Sequence, residues 1–180
     1  ADLLHNPDFE NSAVASFFSE ECKKSNALVV EFIDLLVQVV LKAFRLAASF
    51  YINRNNLMQP EKNKSETEMS LSATLCDGLS VLSSSLNLAA SQFGQRSFQN
   101  FWVAVAKGLD SVLFDGLIRD KYHTAAAVRQ LVFDLNAILT LFRSHTTRPD
   151  AAMPMMSTAL ELLQSPIELI REFMDSKSGL

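Results

Sequence analysis

The stretch ALVVEFIDLLVQVVLKAF, residues 27–44, decides the fold class. It is apolar enough to suggest a membrane span, yet polar side chains recur at steps of three and four residues along it and beyond it. They are Glu31, Asp34, Gln38, Lys42, Arg45, Ser49 and Asn53. Such spacing forms one narrow stripe on an α-helix, and its charges would be costly in lipid. The stretch therefore predicts a long helix, outside lipid, that packs on more than one neighbour.

The rest of the chain also reads as helix. Glycine and proline are absent from about Ser12 to Asn53, which predicts a first helix of roughly 40 residues after a polar lead-in at 1–11. Residues 54–68 predict an exposed loop, because they are polar and contain Pro60. Further helices are expected at about 69–93, 95–119, 124–144 and 151–164, and a last one from Ser165. No alternating strand pattern occurs, so the prediction is all-α: an elongated array of long helices forming a single domain at 1–180 or a fragment of a longer subunit.

Local signals refine these helices. Thr124 can cap the helix that follows it, and Ser165-Pro166-Ile167-Glu168 reads as a capping box. Three helical glycines, Gly78, Gly108 and Gly116, indicate places where two helices come close. In the third helix the apolar face leaves Asn100, Lys107, Asp110 and Ser111 pointing away from the core.

Composition excludes several classes of protein. The chain has 180 residues, is 48% hydrophobic and carries a formal charge of −4, so it should fold and shows no basic stripe for nucleic acid. Cys22 and Cys76 are far apart and predict two reduced, buried thiols in a cytosolic protein. No signal peptide is visible, and a start without methionine suggests an excised segment.

Signatures of chemistry are missing from the sequence. His5, His123 and His145 are scattered, without the spacing of metal ligands. There is no nucleophile-elbow motif and no glycine-rich phosphate loop. We therefore expect no metal, no cofactor and no enzymatic activity.

Asp134 is the exception to examine, because it lies in the apolar run RQLVFDLNAILTLF at 129–142. A helical projection places it on the flank of the inner face, beside Gln130. There it could accept hydrogen bonds from the backbone of a neighbouring loop, or pair with a basic side chain: Arg119, Lys121 or Arg148. We interpret it as an anchor between helix and loop. The many aromatic residues predict core positions, Trp102 among them, or else a groove for a partner helix on the first helix.

An ordered series of motifs resembles the C-terminal region of the RINT/Tip subunits of the Dsl-type (NRZ) vesicle tether. It runs from MSLS at 69–72 through FW at 101–102 and LD at 109–110. Gln130, Leu131, Phe133 and Asp134 then match a Gln-Leu-x-Phe-Asp pattern, followed by Leu141-Phe142 and Arg148-Pro149. The family usually has a Gly-Gly pair ahead of this pattern, where this chain reads YHTAAAV, so its turn should differ.

The resemblance implies a CATCHR-type helical rod, here its C-terminal portion. It implies a non-catalytic scaffold for Golgi-to-ER retrograde transport, peripheral on the endoplasmic reticulum membrane and exposed to the cytoplasm. Its partners would be other tether subunits and SNARE proteins. The candidate structural residues are Asp134, Gln130, Phe133, Phe142, Trp102, Phe101, Arg148 and Pro149.

Two other interpretations stay open. The chain could be a helical bundle that binds a lipid or small apolar ligand, or an uncharacterised helical enzyme; an enclosed apolar cavity would favour ligand binding. A homodimer through the first helix is a third option, which the sequence does not favour.

Overall fold

The computed structural model describes residues 7–53 and 69–166, and all regular elements within them are helical. The α-helices are α1 (Pro7–Ala47), α2 (Ser49–Ile52), α3 (Ala73–Gln92), α4 (Gln95–Leu113), α5 (Ala125–Phe142) and α6 (Pro154–Gln164). A π-helical turn, Phe114–Ile118, extends α4, and a 3-10 turn, Pro149–Ala152, precedes α6. The predicted all-α class is confirmed.

The first helix is longer at its start than predicted. It begins at Pro7, since proline suits the first helical position, where its missing N–H would lack a partner anyway. Its 41 residues correspond to about 60 Å of helix. It ends at Ala47, and the short α2 continues to Ile52. The predicted polar stripe is exposed, apart from a half-buried Ser49.

Among the side chains of α1 that the structure describes, only those of the second half enter the core. Residues 18–32 are all exposed, and Ile33 is the first buried side chain after them. From Ile33 onward α1 packs on both α3 and α4, as its wide apolar surface predicted. In folded proteins most helical stability comes from packing of the apolar face, so the second half of α1 is the part that the fold stabilises.

The helical glycines lie where α1 and α2 press against their neighbours. A methyl group on Gly78 would stand 2.8 Å from the ring of Phe44, and methyl groups on Gly108 and Gly116 would collide with Leu41 and Ile52. The predicted close approaches therefore occur, all of them against α1 and α2. The pairs Gly108–Leu41 and Gly116–Ile52 also show that α4 and its π-helical extension run parallel to α1 and α2.

The fifth helix follows its sequence pattern closely. Thr124 caps it by accepting a hydrogen bond from the backbone N–H of Ala127, as predicted. The predicted inner face is buried: Val128, Leu131, Leu135, Ile138, Leu139 and Phe142. In the described residues α5 is long and apolar enough to cross a membrane, but 44% of it is buried inside the fold. A core helix of a folded domain has the same character.

Several expectations need correction. Cys22 and Cys76 are exposed and not buried as predicted. Cys22 lies in the stretch of α1 whose side chains are all exposed, and Cys76 lies on the side of α3 away from its buried residues. The third predicted helix loses α-helical hydrogen bonding at Leu113 and reaches only Ile118, in the π-helical turn. The helix predicted at about 151–164 is α6, and it begins at Pro154 and not at 151. The predicted loop at 54–68 and the helix expected from Ser165 onward lie outside the described residues.

Candidate functional site

The carboxyl group of Asp134 is fully buried and accepts four hydrogen bonds. Oδ2 accepts from the hydroxyl of Tyr51 at 3.0 Å and from Ser72 Oγ at 2.6 Å. Oδ1 accepts from the backbone N–H of Ser72 and from Gln130 Nε2, both at 3.0 Å. A buried polar group is costly unless it is hydrogen-bonded, and here both oxygens are satisfied by protein donors. The arrangement joins α2, the start of α3 and α5.

Gln130 extends this network by one bond. Its side-chain amide also donates to the carbonyl oxygen of Ser70 at 2.9 Å, so it holds the segment that leads into α3. Ser72 occupies the N-cap position of α3, but its side chain makes no cap bond because the hydroxyl donates to Asp134. The segment 70–72 is thus fixed to α5 at both its ends.

The sequence predicted only part of this geometry. The expected bond from a loop backbone to Asp134 is present, through Ser72. Its full burial was not predicted: Asp134 is 0% exposed, because the 70–72 segment and Tyr51 cover that side of α5. The four donors belong to Tyr51, Ser72 and Gln130, none of which is basic. Tyr51 lies 83 residues away in the chain, so no local pattern could have identified it.

A second buried carboxyl group was missed. Asp110 was expected to point away from the core, yet it is only 2% exposed. Its Oδ2 accepts from the backbone N–H of Met155 at 2.9 Å and its Oδ1 from that of Met156 at 2.8 Å. These two N–H groups lie in the first turn of α6 and have no acceptor within their own helix. The helix dipole also stabilises a negative charge at this end of a helix. Asp110 therefore caps α6 from another helix.

The aromatic candidates divide between core and surface. Trp102 and Phe142 are buried with ring centroids 6.1 Å apart, and Phe101 meets Phe93 edge to face at 5.7 Å. Phe133 does not belong to the core: it is 38% exposed, since it lies on the side of α5 away from Leu131 and Leu135.

Arg148 and Pro149 lie at the start of the 3-10 turn that precedes α6. Pro149 is buried and opens the 3-10 turn. Arg148 is exposed, and its backbone N–H donates to Thr146 Oγ1 at 3.2 Å. The structure does not bring Arg148 to Asp134, although the sequence allowed that pairing.

The described residues offer little for chemistry. No group of three or more His, Cys, Asp or Glu side chains within them could hold a metal ion. A depression of about 540 Å³ runs along α1 between Asn26 and Gln38, and another of about 320 Å³ lies between Arg45 and Gly116. Both open to solvent. Neither contains Asp110 or Asp134, whose oxygens are engaged by the fold.

Partial burial lowers the pKa of two histidines. Burial lowers the pKa of His145, whose ring meets Phe98 edge to face with centroids 4.8 Å apart. Burial is also the main cause of a lowered pKa of His123. A hydrogen bond with the backbone of Leu117 opposes this shift, and the positive charge of Lys121 adds to it. Both rings are therefore biased toward the neutral form.

The most conspicuous surface is on α1. Six large apolar side chains on the side away from α3 and α4 are each more than half exposed: Leu28, Phe32, Leu35, Val39 and Leu46 on α1, and Phe50 on α2, which continues it. We call these six residues the α1 apolar stripe.

The fold is an all-α helical array, the class to which CATCHR-type rods belong. In this chain, buried carboxyl groups join the helices to one another. Comparison with known proteins narrows the class. The model of the RINT-1/TIP-1 family matches residues 5–178, and the chain belongs to that family.

A curated relative is the RINT1-like protein MAG2 of Arabidopsis thaliana, which is 25% identical over 169 residues. That alignment covers 92% of this chain and 21% of MAG2, so the chain spans about a fifth of the length of this relative. No solved structure matches the chain.

Proposed function

We propose that this chain is part of a non-catalytic subunit of a membrane-tethering complex for Golgi-to-ER retrograde vesicle transport. It acts there as scaffold and as protein-binding surface. The observation that carries the proposal is the match to the RINT-1/TIP-1 family over residues 5–178. The partners are other subunits of the complex and SNARE proteins, and the site of action is the cytoplasmic face of the endoplasmic reticulum.

The physical properties of the chain support a scaffold. A tether needs reach, and the 41 residues of α1 correspond to about 60 Å. It also needs stiffness, which the bonds of Asp134 and Asp110 favour because they join elements distant in sequence. Finally, it needs surface for partners, and the α1 apolar stripe provides one.

Cells that make the full-length protein provide the test. Depletion should slow the return to the endoplasmic reticulum of Golgi cargo that bears a C-terminal retrieval signal. The tagged full-length protein should co-purify with subunits of a tether and with SNAREs. Re-expression of a Tyr122→Ala protein should restore transport, since Tyr122 is 88% exposed. Trp102→Ala, which removes a buried ring, should restore it poorly. A normal rate of cargo return after depletion would contradict the proposal.

A further inference from the structure

The charges beside the α1 apolar stripe are arranged with opposite signs about one residue. Glu31 and Asp34 precede Gln38 by seven and four positions, and Lys42 and Arg45 follow it by four and seven. All of these side chains are exposed, and successive steps of three and four residues keep them on one side of the helix. The surface is therefore acidic toward the N-terminus of α1 and basic toward its C-terminus.

The apolar stripe has a similar arrangement, centred one residue further on at Val39. Leu28 and Phe50 lie eleven residues on either side of Val39, and Phe32 and Leu46 lie seven residues on either side of it. The stripe covers 23 residues, or about 33 Å of helix. Its members follow one another at steps of three or four residues, except for a step of seven between Val39 and Leu46, as in a coiled-coil seam with one position missing.

We propose that the α1 apolar stripe is the interface for a second copy of this chain, with the two α1 helices antiparallel about a two-fold axis near Gln38 and Val39. The two-fold places Glu31 opposite Arg45 of the second copy and Asp34 opposite Lys42, and it repeats both pairs by symmetry. Such a self-complementary patch is what a two-fold dimer requires. With the axis between Gln38 and Val39, Phe32 also lies near Leu46 of the second copy, and Val39 lies near its own counterpart.

The same features argue against other partners and other orientations. A parallel, in-register pair would place like charges together, which is destabilising. A lipid surface would receive the apolar stripe together with an acidic half that anionic headgroups repel. An antiparallel copy buries the six apolar side chains and gives each of the four charges an opposite partner. This inference does not depend on the proposed function.

Molar mass in solution tests the proposal, measured on the 180-residue chain by sedimentation or light scattering from about 1 to 200 µM. The wild-type chain should approach twice its 20.0 kDa at the upper concentrations. The variants Glu31→Lys/Asp34→Lys and Lys42→Glu/Arg45→Glu should each dimerise at least tenfold more weakly, because each creates like-charge pairs. An equimolar mixture of the two variants should recover the doubled mass, since all four opposing pairs are then attractive.

The control is a charge exchange elsewhere on the surface. Asp115→Lys/Arg119→Glu reverses an exposed ion pair after α4 and should leave the mass of the dimer unchanged. Circular dichroism should show the same helix content in all variants. A wild-type chain that stays at 20.0 kDa overturns the proposal. So does a dimer that is insensitive to the α1 charges, or a mixture of the two variants that stays monomeric.

Discussion

The hydroxyl of Tyr51 donates to Oδ2 of Asp134 at 3.0 Å, and both side chains are buried. The bond joins α2 to the middle of α5, across 83 residues of chain. Since Asp134 also holds Ser72, one carboxyl group fixes three elements to one another. Both oxygens of this carboxyl group are therefore used in hydrogen bonds that hold the fold together.

Asp134→Leu should destabilise the fold by about 3–5 kcal/mol, because it leaves buried donors unpaired. Asp134→Asn should cost less, about 1–3 kcal/mol, because an amide nitrogen in place of Oδ2 can donate to the hydroxyls of Tyr51 and Ser72. Urea unfolding of both variants checks the order. Equal stability of wild type and Asp134→Asn would remove the anchor role.

Asp110→Ala should cost about 1–3 kcal/mol, since it uncaps the first turn of α6 and leaves two backbone N–H groups without their acceptor. The matched control is Asp115→Ala, five residues away, which removes an exposed ion pair with Arg119 and should change stability by less than about 1 kcal/mol. Thermal unfolding compares the two. Equal effects would mean that the buried cap contributes nothing beyond a surface charge.

Trp102→Ala should destabilise by about 3–5 kcal/mol, because the indole is buried against Phe142 and its loss leaves a cavity. Tyr122→Ala removes an aromatic ring that is 88% exposed and should have little effect. Chemical denaturation measures both. If the Trp102→Ala chain were as stable as wild type but lost a binding partner, the ring would belong to an interface.

Gly78→Ala should destabilise by about 1–3 kcal/mol despite the better helix propensity of alanine, because the new methyl group would stand 3.0 Å from Ala48 Cβ and closer still to Phe44. Gly94→Ala is the control: a methyl group there meets nothing within 4 Å. Thermal melting should separate the two variants. A neutral Gly78→Ala would show that α1 can move away from α3 at little cost.

Acidification should weaken the fold through His123 and His145. Burial lowers the pKa of both rings in the folded chain below the ordinary value of 6.5, so the unfolded chain binds more protons as the pH falls. Their contribution to stability is complete above pH 6.5, falls as the pH drops below that value, and is lost below the folded-state pKa values. Unfolding free energies measured between pH 8 and pH 5 provide the check.

The variant that isolates this effect is His123→Gln/His145→Phe, in which the phenyl ring can keep the contact of His145 with Phe98. It should lose less stability than the wild-type chain over the same pH range. Identical pH profiles would show that other groups cause the acid sensitivity.

Local patterns predicted what depends on neighbouring residues in the chain. The inner face of α5 and the cap at Thr124 follow from periodicity and capping over a few residues, and both are present. The contacts that cross the fold could not be obtained that way. Asp110 follows the buried Leu109 on a helix edge, and nothing near it in sequence reveals that α6 begins beside it.

Hydrophobic residue type was a weaker guide than position. Phe133 is a candidate structural residue from the Gln-Leu-x-Phe-Asp pattern, but α5 turns it toward the surface. The prediction of a buried Cys76 rests on its place inside a predicted helix and is wrong, because the inner face of α3 is formed by Leu75, Gly78 and Leu82. A helix with apolar residues on all sides does not reveal which side meets the core.

The most direct test of the central claim, that buried acids hold the helices of this chain together, is a double-mutant cycle between Tyr51 and Asp134. Unfolding free energies are measured for wild type, Tyr51→Phe, Asp134→Ala and the double variant. We predict a coupling free energy of about 1 kcal/mol or more, because each residue satisfies the other in a buried setting. A coupling of zero within error would contradict the account.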